Sequence, residues 1–297
     1  MTTLPREAPP GMDARSAPTI HATAVVHPRA QLGPGVRIGP YAIVGEGVRL
    51  SADVEVGPHA VLEGWVEVGP RGHIFAGAVI GTPPQDLKFR PGTPSGVKIG
   101  ADVVIREFTT VHRASREGGF TSIGEGCYLM AQSHVGHDCQ LGDHVVLTSY
   151  TGLPGFIQVG DGAVISGLAG IHQFVRIGTL AFVGGCSRLP QDLPPYFLVE
   201  GNPALVRGVN IVGLRRAGVP AAARLLLQRA YKILYRSGHS PGRALERIRA
   251  ELEPSEYLDR LVEFVASSKR GILPGPGRRT SSSRSSAKRE SNYLCSI

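Results

Sequence analysis

Apolar residues recur at every sixth position through most of the first 190 residues. One unbroken series begins at Ile123 and ends at Leu189, an earlier one runs from Ile20 to Ile80, and a short one joins them. An amphipathic α-helix would need apolar residues at a spacing of 3.6. The six-residue period therefore argues against a helical repeat and favours short strands that meet at tight corners.

A fixed short period is typical of a solenoid, in which each turn buries its inward residues against the turns above and below. Six residues with one inward aliphatic side chain and a Gly-containing corner fit one face of a triangular prism, so three such units close one coil of parallel β-helix. Residues 18 apart should then stack at about 4.8 Å. His137, Gly155 and Gln173 have this spacing and are predicted to form one column.

The period is interrupted twice, and both interruptions predict loops. From Ile80 to Ile99 the spacing is one residue out of phase, which places a loop within Gly81 to Val97. One six-residue unit also fails near Arg113 to Ser122, which predicts a second loop. Binding groups concentrate in loops that a rigid scaffold carries, and the first loop contains the polar residues Asp86 and Lys88.

After Leu189 the pattern changes to helical spacing, with three successive apolar stripes. We predict four regions: a β-helix over 19–195, a small helical domain over 196–272 that caps it, and disordered segments at 1–18 and 273–297. The first segment has no apolar run, so we expect neither a signal peptide nor a transmembrane segment. Met12 is a candidate for the start of translation, a hypothesis that the mass of the native protein would test.

Composition restricts the classes of function. The four cysteines lack CxxC spacing, which favours a reduced, cytoplasmic protein over a disulfide framework. The net charge of +8 is partly due to the basic tail after residue 277. No interleaved aromatic and basic residues support nucleic-acid binding.

His137 and Asp138 are the strongest candidates for chemistry. A neutral imidazole can take a proton from a hydroxyl group, a carboxylate can orient it, and the backbone N–H of Gly155, one coil away, can stabilise an oxyanion. This hypothesis of acyl transfer requires no nucleophilic Ser or Cys.

Two other readings compete with acyl transfer. His112, His134 and His137 are candidate zinc ligands, because similar prisms include zinc-dependent carbonic anhydrases. His134 and His137 are three residues apart, however, where a resemblance to those enzymes asks for about five. A β-helix without catalysis is the third reading, and the clustering of polar residues weighs against it.

The chain resembles the acyl-carrier-protein-dependent UDP-N-acetylglucosamine O-acyltransferases, a family of hexapeptide-repeat acyltransferases. The similarity covers about Ile20 to Ile272, and its motifs are 131–139, 171–174, 183–187, 194–196, 208–211, 213–216 and 230–237. It implies a left-handed parallel β-helix, although ordinary parallel crossovers are right-handed. It also implies transfer of a 3-hydroxyacyl group from acyl carrier protein to the 3-hydroxyl of UDP-N-acetylglucosamine, the first step of lipid A biosynthesis, by a cytoplasmic homotrimer without metal or cofactor.

The resemblance also assigns roles to residues. His137 would be the general base, Asp138 its orienting group and Gly155 the oxyanion donor. The amino sugar and phosphates would be bound by Asp86, Lys88, His112, His134 and Gln173. The nucleotide or the phosphopantetheine would be contacted by Asn210 and Arg216. The acyl chain would lie along His172 and Gly185. The missing side chain of Gly185 favours a longer acyl chain.

Three positions depart from the family pattern. Phe156 and Pro203 stand where the family commonly has His, and Val212 replaces an acidic residue. A phenyl ring cannot form the hydrogen bonds of an imidazole, so Phe156 bears on selectivity for the 3-hydroxylated chain. A diverged acyltransferase that acts on another sugar nucleotide is therefore the alternative.

Overall fold

The structure of the protein, a computed structural model, describes residues 17–276. This part of the chain contains many short β-strands followed by helices. The strands of the first half are β1 (Thr19–Ile20), β2 (Val25–Val26), β3 (Gln31–Leu32), β4 (Arg37–Ile38), β5 (Ile43–Val44), β6 (Val48–Leu50), β7 (Glu55–Val56), β8 (Val61–Leu62), β9 (Trp65–Val68), β10 (His73–Ile74), β11 (Val79–Thr82), β12 (Gly96–Ile99), β13 (Val104–Ile105) and β14 (Thr110–His112). Those of the second half are β15 (Phe120–Ile123), β16 (Tyr128–Leu129), β17 (His134–Val135), β18 (Gln140–Leu141), β19 (Val146–Leu147), β20 (Gly152–Leu153), β21 (Gln158–Val159), β22 (Val164–Ile165), β23 (Gly170–Ile171), β24 (Arg176–Ile177), β25 (Phe182–Val183), β26 (Arg188–Leu189), β27 (Phe197–Glu200) and β28 (Leu205–Val209).

The strands form three sheets, because each strand of the prism pairs in parallel with the strand three places further along the chain. Sheet A contains β1, β4, β7, β10, β13, β16, β19, β22, β25, β27 and β28, sheet B contains β2, β5, β8, β11, β14, β17, β20, β23 and β26, and sheet C contains β3, β6, β9, β12, β15, β18, β21 and β24. Their register follows the 18-residue coil, as in the pairing of His134 with Gly152. The prediction of a left-handed parallel β-helix is confirmed.

The aliphatic residues at the sixth positions fill the interior of the prism. Ile80, Leu129, Leu153 and Ile165 are fully buried, and the sixth-position series from Ile38 to Leu189 packs into one core. β-Branched side chains suit this pleated wall. Cys127 and Cys139 belong to the same core, and burial raises the pKa of each thiol to about 12, so these thiols stay protonated.

The segment predicted to be helical, 196–272, begins with strands instead. β27 continues sheet A and pairs with β25, and β28 turns back antiparallel to β27. The helices follow as α1 (Ile211–Arg216), α2 (Ala221–Arg236), α3 (Pro241–Glu251) and α4 (Glu256–Ala266). The last three coincide with the three predicted apolar stripes. The strands escaped prediction because the six-residue period stops at Leu189, although pairing to the open end of sheet A continues.

The first residues of the predicted disordered tail 273–297 belong to the fold. Leu273 is fully buried, and its N–H donates to the carbonyl of Asp192 at 2.9 Å. Residues 273–276 are thus part of the fold because an apolar side chain and backbone hydrogen bonds attach them to the prism. The remainder of both predicted disordered segments, with Met12 and Cys295, lies outside the described residues.

The corner between sheets B and C carries both loops. The first loop, residues 83–95, joins β11 to β12, and the second, residues 113–119, joins β14 to β15. The loops contact each other, since Ser95 Oγ donates to the carbonyl of Ala114 at 2.5 Å and the N–H of Gly118 to the carbonyl of Pro94 at 2.8 Å. His137 and Asp138 lie at the same corner, between β17 and β18.

Within residues 17–276, no helix has the length and apolar character needed to cross a membrane.

Candidate active site

His137 and Asp138 form a buried dyad at the corner between sheets B and C. His137 is 5% exposed, and its Nδ1 lies 2.8 Å from Oδ2 of Asp138. An ionised carboxylate only accepts hydrogen bonds, so Nδ1 carries the proton and Nε2 keeps its lone pair. The dyad therefore presents Nε2 as a base.

The second loop holds the carboxylate of Asp138. Ser115 donates to Oδ2 from its backbone N–H at 2.9 Å and from its hydroxyl at 2.6 Å, and Arg116 Nε donates to Oδ1 at 3.3 Å. Burial alone would raise the pKa of Asp138, but the hydrogen bonds from Ser115, His137 and Arg116 outweigh it and lower the pKa below its ordinary value. Asp138 is thus an anion at neutral pH.

Gly155 lies directly against the imidazole ring, as the predicted column requires. A Cβ atom at this position would lie 2.5 Å from both Cε1 and Nε2 of His137, closer than real contacts allow. Within residues 17–276, the amide N–H of Gly155 has no hydrogen-bond acceptor among protein groups. The glycine therefore leaves room for the ring and offers a backbone donor beside it.

Two stacked phenyl rings lie at the same corner, on the two coils that follow the dyad. Phe156 and Phe174 stack with ring centroids 4.8 Å apart, and the His137 ring meets Phe156 edge-on at 5.1 Å. Asp138, Phe156 and Phe174 all have φ near +60° and occupy equivalent corner positions of three coils. Phe156 thus covers one side of the imidazole with an apolar ring where an imidazole was expected.

His112 and His134 lie beside the dyad on strands β14 and β17. Their rings meet edge-on at 4.9 Å, and His134 Nδ1 is 2.7 Å from Thr110 Oγ1. Burial, His112 and His137 lower the pKa of His134 to about 4, and burial and His137 also lower the pKa of His112. Both rings are neutral at pH 7 and available as hydrogen-bond partners. Nδ1 of His112 is buried without a hydrogen-bond partner among the described residues.

Asp86 and Lys88 lie on the first loop at the same corner. Asp86 Oδ1 accepts from the backbone N–H of Lys88 at 2.9 Å, which closes a local turn. Arg113 of the second loop packs near the ring of Phe89, with its guanidinium carbon 5.6 Å from the ring centroid. The first loop is thereby attached to the loop that holds Asp138.

His172, Gln173 and Gly185 are exposed on the following coils. Gln173 occupies the column of His137 and Gly155. His172 Nδ1 lies 3.0 Å from the carbonyl of Gln173 and 3.1 Å from Nη2 of Arg270. A Cβ on Gly185 would meet only the carbonyl of Gly167 at 3.5 Å and Cβ of Ser166 at 4.0 Å, so a side chain fits there.

Asn210 and Arg216 stand apart from this corner, at the two ends of α1. The side chain of Asn210 caps the helix by accepting from the N–H of Gly213 at 3.1 Å and donates to the carbonyl of Leu180 at 2.9 Å. Both the oxygen and the nitrogen of its side-chain amide therefore form hydrogen bonds within the protein. Arg216 is exposed in the last turn of the helix.

The geometry bears on the zinc hypothesis for His112, His134 and His137. Within the described residues, no three His, Cys, Asp or Glu side chains are grouped so as to hold a metal ion. The histidine cluster instead uses His134 Nδ1 for Thr110 and His137 Nδ1 for Asp138.

The roles of three residues that support the dyad were not predicted from the sequence. Ser115 and Arg116 bind the carboxylate of Asp138, and Thr121 Oγ1 accepts from its backbone N–H at 2.9 Å. The failed six-residue unit near 113–122 was the available signal. It predicted a loop, but not which group the loop would contact.

Comparison with known proteins identifies the family. A family model described as "Udp N-acetylglucosamine O-acyltransferase; Domain 2" matches residues 192–273, and a bacterial transferase hexapeptide model matches 17–52 and 120–155. The acyl-[acyl-carrier-protein]–UDP-N-acetylglucosamine O-acyltransferase of Paraburkholderia phymatum is 46% identical over 86% of this chain and 98% of its own length. That of Thermodesulfovibrio yellowstonii is 42% identical over 85% and 98%.

Solved structures agree with this assignment. A UDP-N-acetylglucosamine acyltransferase from Bacteroides fragilis superposes with a TM-score of 0.84 at 35% identity, over 86% of this chain and all 100% of that one. The acyltransferase from Campylobacter jejuni gives 0.82 at 36%, over 86% and 99%. The chain therefore belongs to the acyl-[acyl-carrier-protein]–UDP-N-acetylglucosamine O-acyltransferase family.

Proposed function

We propose that this protein transfers an acyl group, usually 3-hydroxylated, from acyl carrier protein to the 3-hydroxyl of UDP-N-acetylglucosamine, the first step of lipid A biosynthesis. The observation that carries the proposal is the His137–Asp138 dyad packed against Gly155. A base, its orienting group and an unpaired backbone donor meet within two adjacent coils, which is the minimum that direct acyl transfer to a hydroxyl needs.

The reaction begins with proton transfer to Nε2 of His137 from the sugar 3-hydroxyl. The hydroxyl oxygen attacks the thioester carbonyl, and the resulting oxyanion accepts a hydrogen bond from the N–H of Gly155. The tetrahedral intermediate then expels the thiolate, which takes the proton back from the imidazolium. Asp138 stays ionised throughout and stabilises the positive charge that His137 carries in between.

The surrounding residues bind the substrates in this proposal. Neutral His112 and His134 hydrogen-bond the sugar, together with Gln173, and Asp86 and Lys88 meet it from the first loop. Lys88 brings a positive charge toward the diphosphate.

The remaining roles concern the acyl chain and the nucleotide. His172 and Gly185 line the acyl groove on the coils that follow the dyad, and Arg216 contacts the nucleotide or the phosphopantetheine. Asn210 supports this contact indirectly, by fixing the first turn of α1.

The proposed assembly is a cytoplasmic homotrimer without a resident metal or cofactor, whose acyl group arrives on the phosphopantetheine of acyl carrier protein. Exposed apolar side chains on the outside of the prism, among them Val25, Ile43, Tyr150 and Leu168, are 62%, 44%, 59% and 65% exposed in the single chain. Burial against a neighbouring subunit would remove this surface from water. Sedimentation equilibrium tests the trimer, and a monomer at micromolar concentration would refute it.

Purified protein incubated with UDP-N-acetylglucosamine and a panel of acyl-carrier-protein thioesters tests the function, with products identified by mass spectrometry. The panel pairs 3-hydroxylated with unsubstituted chains of equal length, because Phe156 removes a hydrogen-bonding group from the site. A parallel series with UDP-linked diamino sugar tests the alternative acceptor. Absence of acylated product from every pair would refute the proposal, and loss of product after EDTA treatment would refute the metal-free mechanism.

Replacing the base gives the first mutational prediction. His137→Ala should lower turnover by about 10²–10⁴-fold, as is typical for loss of a general base. The ring is buried beside a glycine rather than in the aliphatic core, so the variant should keep the assembly state of the wild type. A variant with near wild-type turnover would contradict the mechanism.

A further inference from the structure

The second loop, residues 113–119, contains the groups that hold Asp138. The coil that carries Asp138 supplies only the His137 side chain to this carboxylate. Ser115 supplies two donors to Oδ2 and Arg116 one donor to Oδ1. Both carboxylate oxygens therefore depend on the loop for their orientation.

The loop also makes hydrogen bonds that do not involve Asp138. Ala114 is fastened by Ser95 and by the bond from its own N–H to the carbonyl of Gly96 at 3.3 Å, and Gly118 is fastened to Pro94 at 2.8 Å. A further bond from the N–H of Gly119 to the carbonyl of Arg116 at 2.9 Å closes the turn at its tip. The Ser115 hydroxyl is thus additional to the loop's own structure and is directed at the dyad.

The position of these donors determines what they do. Nδ1 of His137 and the Ser115 hydroxyl approach the same oxygen, Oδ2, at 2.8 Å and 2.6 Å. A carboxylate held at this oxygen cannot rotate away from the imidazole without breaking the Ser115 bonds. Because the hydrogen bond to Asp138 keeps the proton on Nδ1, a fixed carboxylate also fixes Nε2 as the base.

We infer that Ser115 and Arg116 are positioning residues for acyl transfer: from a loop outside the coil, they lock the Asp138 carboxylate and through it the orientation and tautomer of His137. This inference rests on the function proposed above. Arg116 has a second effect, since its guanidinium lies 5.7 Å from the Phe156 ring and so spans the dyad and the aromatic pair.

The Ser115 hydroxyl can be tested by conservative replacement. Ser115→Ala should lower kcat about tenfold, the effect of losing one hydrogen bond to a charged group, with little change in KM. Ser115→Thr keeps a hydroxyl and should restore most of the rate. Glu117→Gln, at the exposed tip of the same loop, is the matched control and should behave as wild type. Wild-type kcat in Ser115→Ala would overturn the inference.

A double-mutant cycle separates positioning from general damage. If Ser115 acts through the carboxylate, Ser115→Ala should cause little further loss of kcat in an Asp138→Asn background. Full additivity of the two losses would overturn the inference. So would a rate loss in Ser115→Ala accompanied by an equal loss in Glu117→Gln, because that pattern reports a disturbed loop.

Urea unfolding gives a readout that needs no substrate. The lowered pKa of Asp138 contributes stability above the ordinary carboxyl range, and this contribution disappears as the pH falls through it. Ser115→Ala should reduce the difference in stability between pH 7 and pH 3, and Asp138→Asn should reduce it further. An unchanged difference in Ser115→Ala overturns the inference even if wild-type protein transfers no acyl group, so the two failures are distinguishable.

Discussion

At the scale of single residues, the site depends on the contrast between a large ring and a missing side chain. The imidazole of His137 fits between coils only because the next coil has no Cβ at residue 155. The 18-residue spacing predicted this juxtaposition from the sequence. The contacts of Ser115 with Asp138 had no such signal, because a loop that leaves the repeat loses the register that predicts neighbours.

Gly155→Ala tests the contrast directly. The added Cβ would lie 2.5 Å from the ring of His137 and must displace it, so kcat should fall by about 10²-fold, as for a misplacement of roughly 1 Å. Gly152→Ala is the control from the same coil, since a Cβ there meets nothing within 4 Å. Equal activity of the two variants, measured by product formation, would contradict the role of the close contact.

Gly185→Met tests the acyl groove. A side chain at this position has room at its base, with the nearest atom 3.5 Å from its Cβ, so the variant should fold normally and occupy space that a long acyl chain needs. The preferred chain should shorten, as measured by competition between thioesters of different length. An unaltered chain-length profile would remove Gly185 from the groove.

At the scale of elements, one buried carboxylate joins the helical unit to the prism through polar contacts, beside the apolar packing of α2 on strand β28. Asp192 is 1% exposed and accepts from the N–H of Arg176 at 2.9 Å, from Arg176 Nε at 3.1 Å and from Ser268 Oγ at 2.8 Å. Arg176 also donates to the carbonyl of Phe264 in α4 at 2.9 Å. The sequence predicted the helices from their apolar stripes, but this polar junction joins residues about 80 positions apart and leaves no periodic trace.

Asp192→Ala should therefore destabilise the protein by about 2–3 kcal/mol, because it removes the buried acceptor of the Arg176 N–H, of Arg176 Nε and of Ser268 Oγ. Urea denaturation followed by circular dichroism measures the loss. Glu253→Ala, at an exposed acidic position between α3 and α4, should change the unfolding free energy by less than about 0.5 kcal/mol. Similar effects in both variants would argue against the junction.

At the scale of the whole molecule, the repeat made most of the fold predictable. Because inward aliphatic residues recur every six positions, the pairing of residues 18 apart and the column of His137 followed from counting along the sequence. The repeat does not predict the packed structure that lies beyond its last unit. Strands β27 and β28 extend the packed structure by pairing with the open end of sheet A, and Leu273 does so by burying its side chain. Both depend on three-dimensional neighbours and not on the period.

The neutral histidine cluster gives the folded chain a dependence on pH. Folding lowers the pKa of His134 from 6.5 to about 4, so between these values the unfolded chain binds more protons, and stability must fall as the pH is lowered through this window. The loss due to one such group is at most about 1.4 kcal/mol per pH unit. His112, whose pKa is also lowered, adds to this loss of stability in the same direction.

Urea unfolding at pH 7.0, 6.0 and 5.0 should show this decline in stability. His134→Gln should make the decline shallower, whereas His21→Gln, at an exposed position of the first coil, should leave it unchanged. Equal slopes for wild type and His134→Gln would mean that His134 is not buried in its neutral form, which would also remove the basis for its contact with the sugar as an uncharged partner.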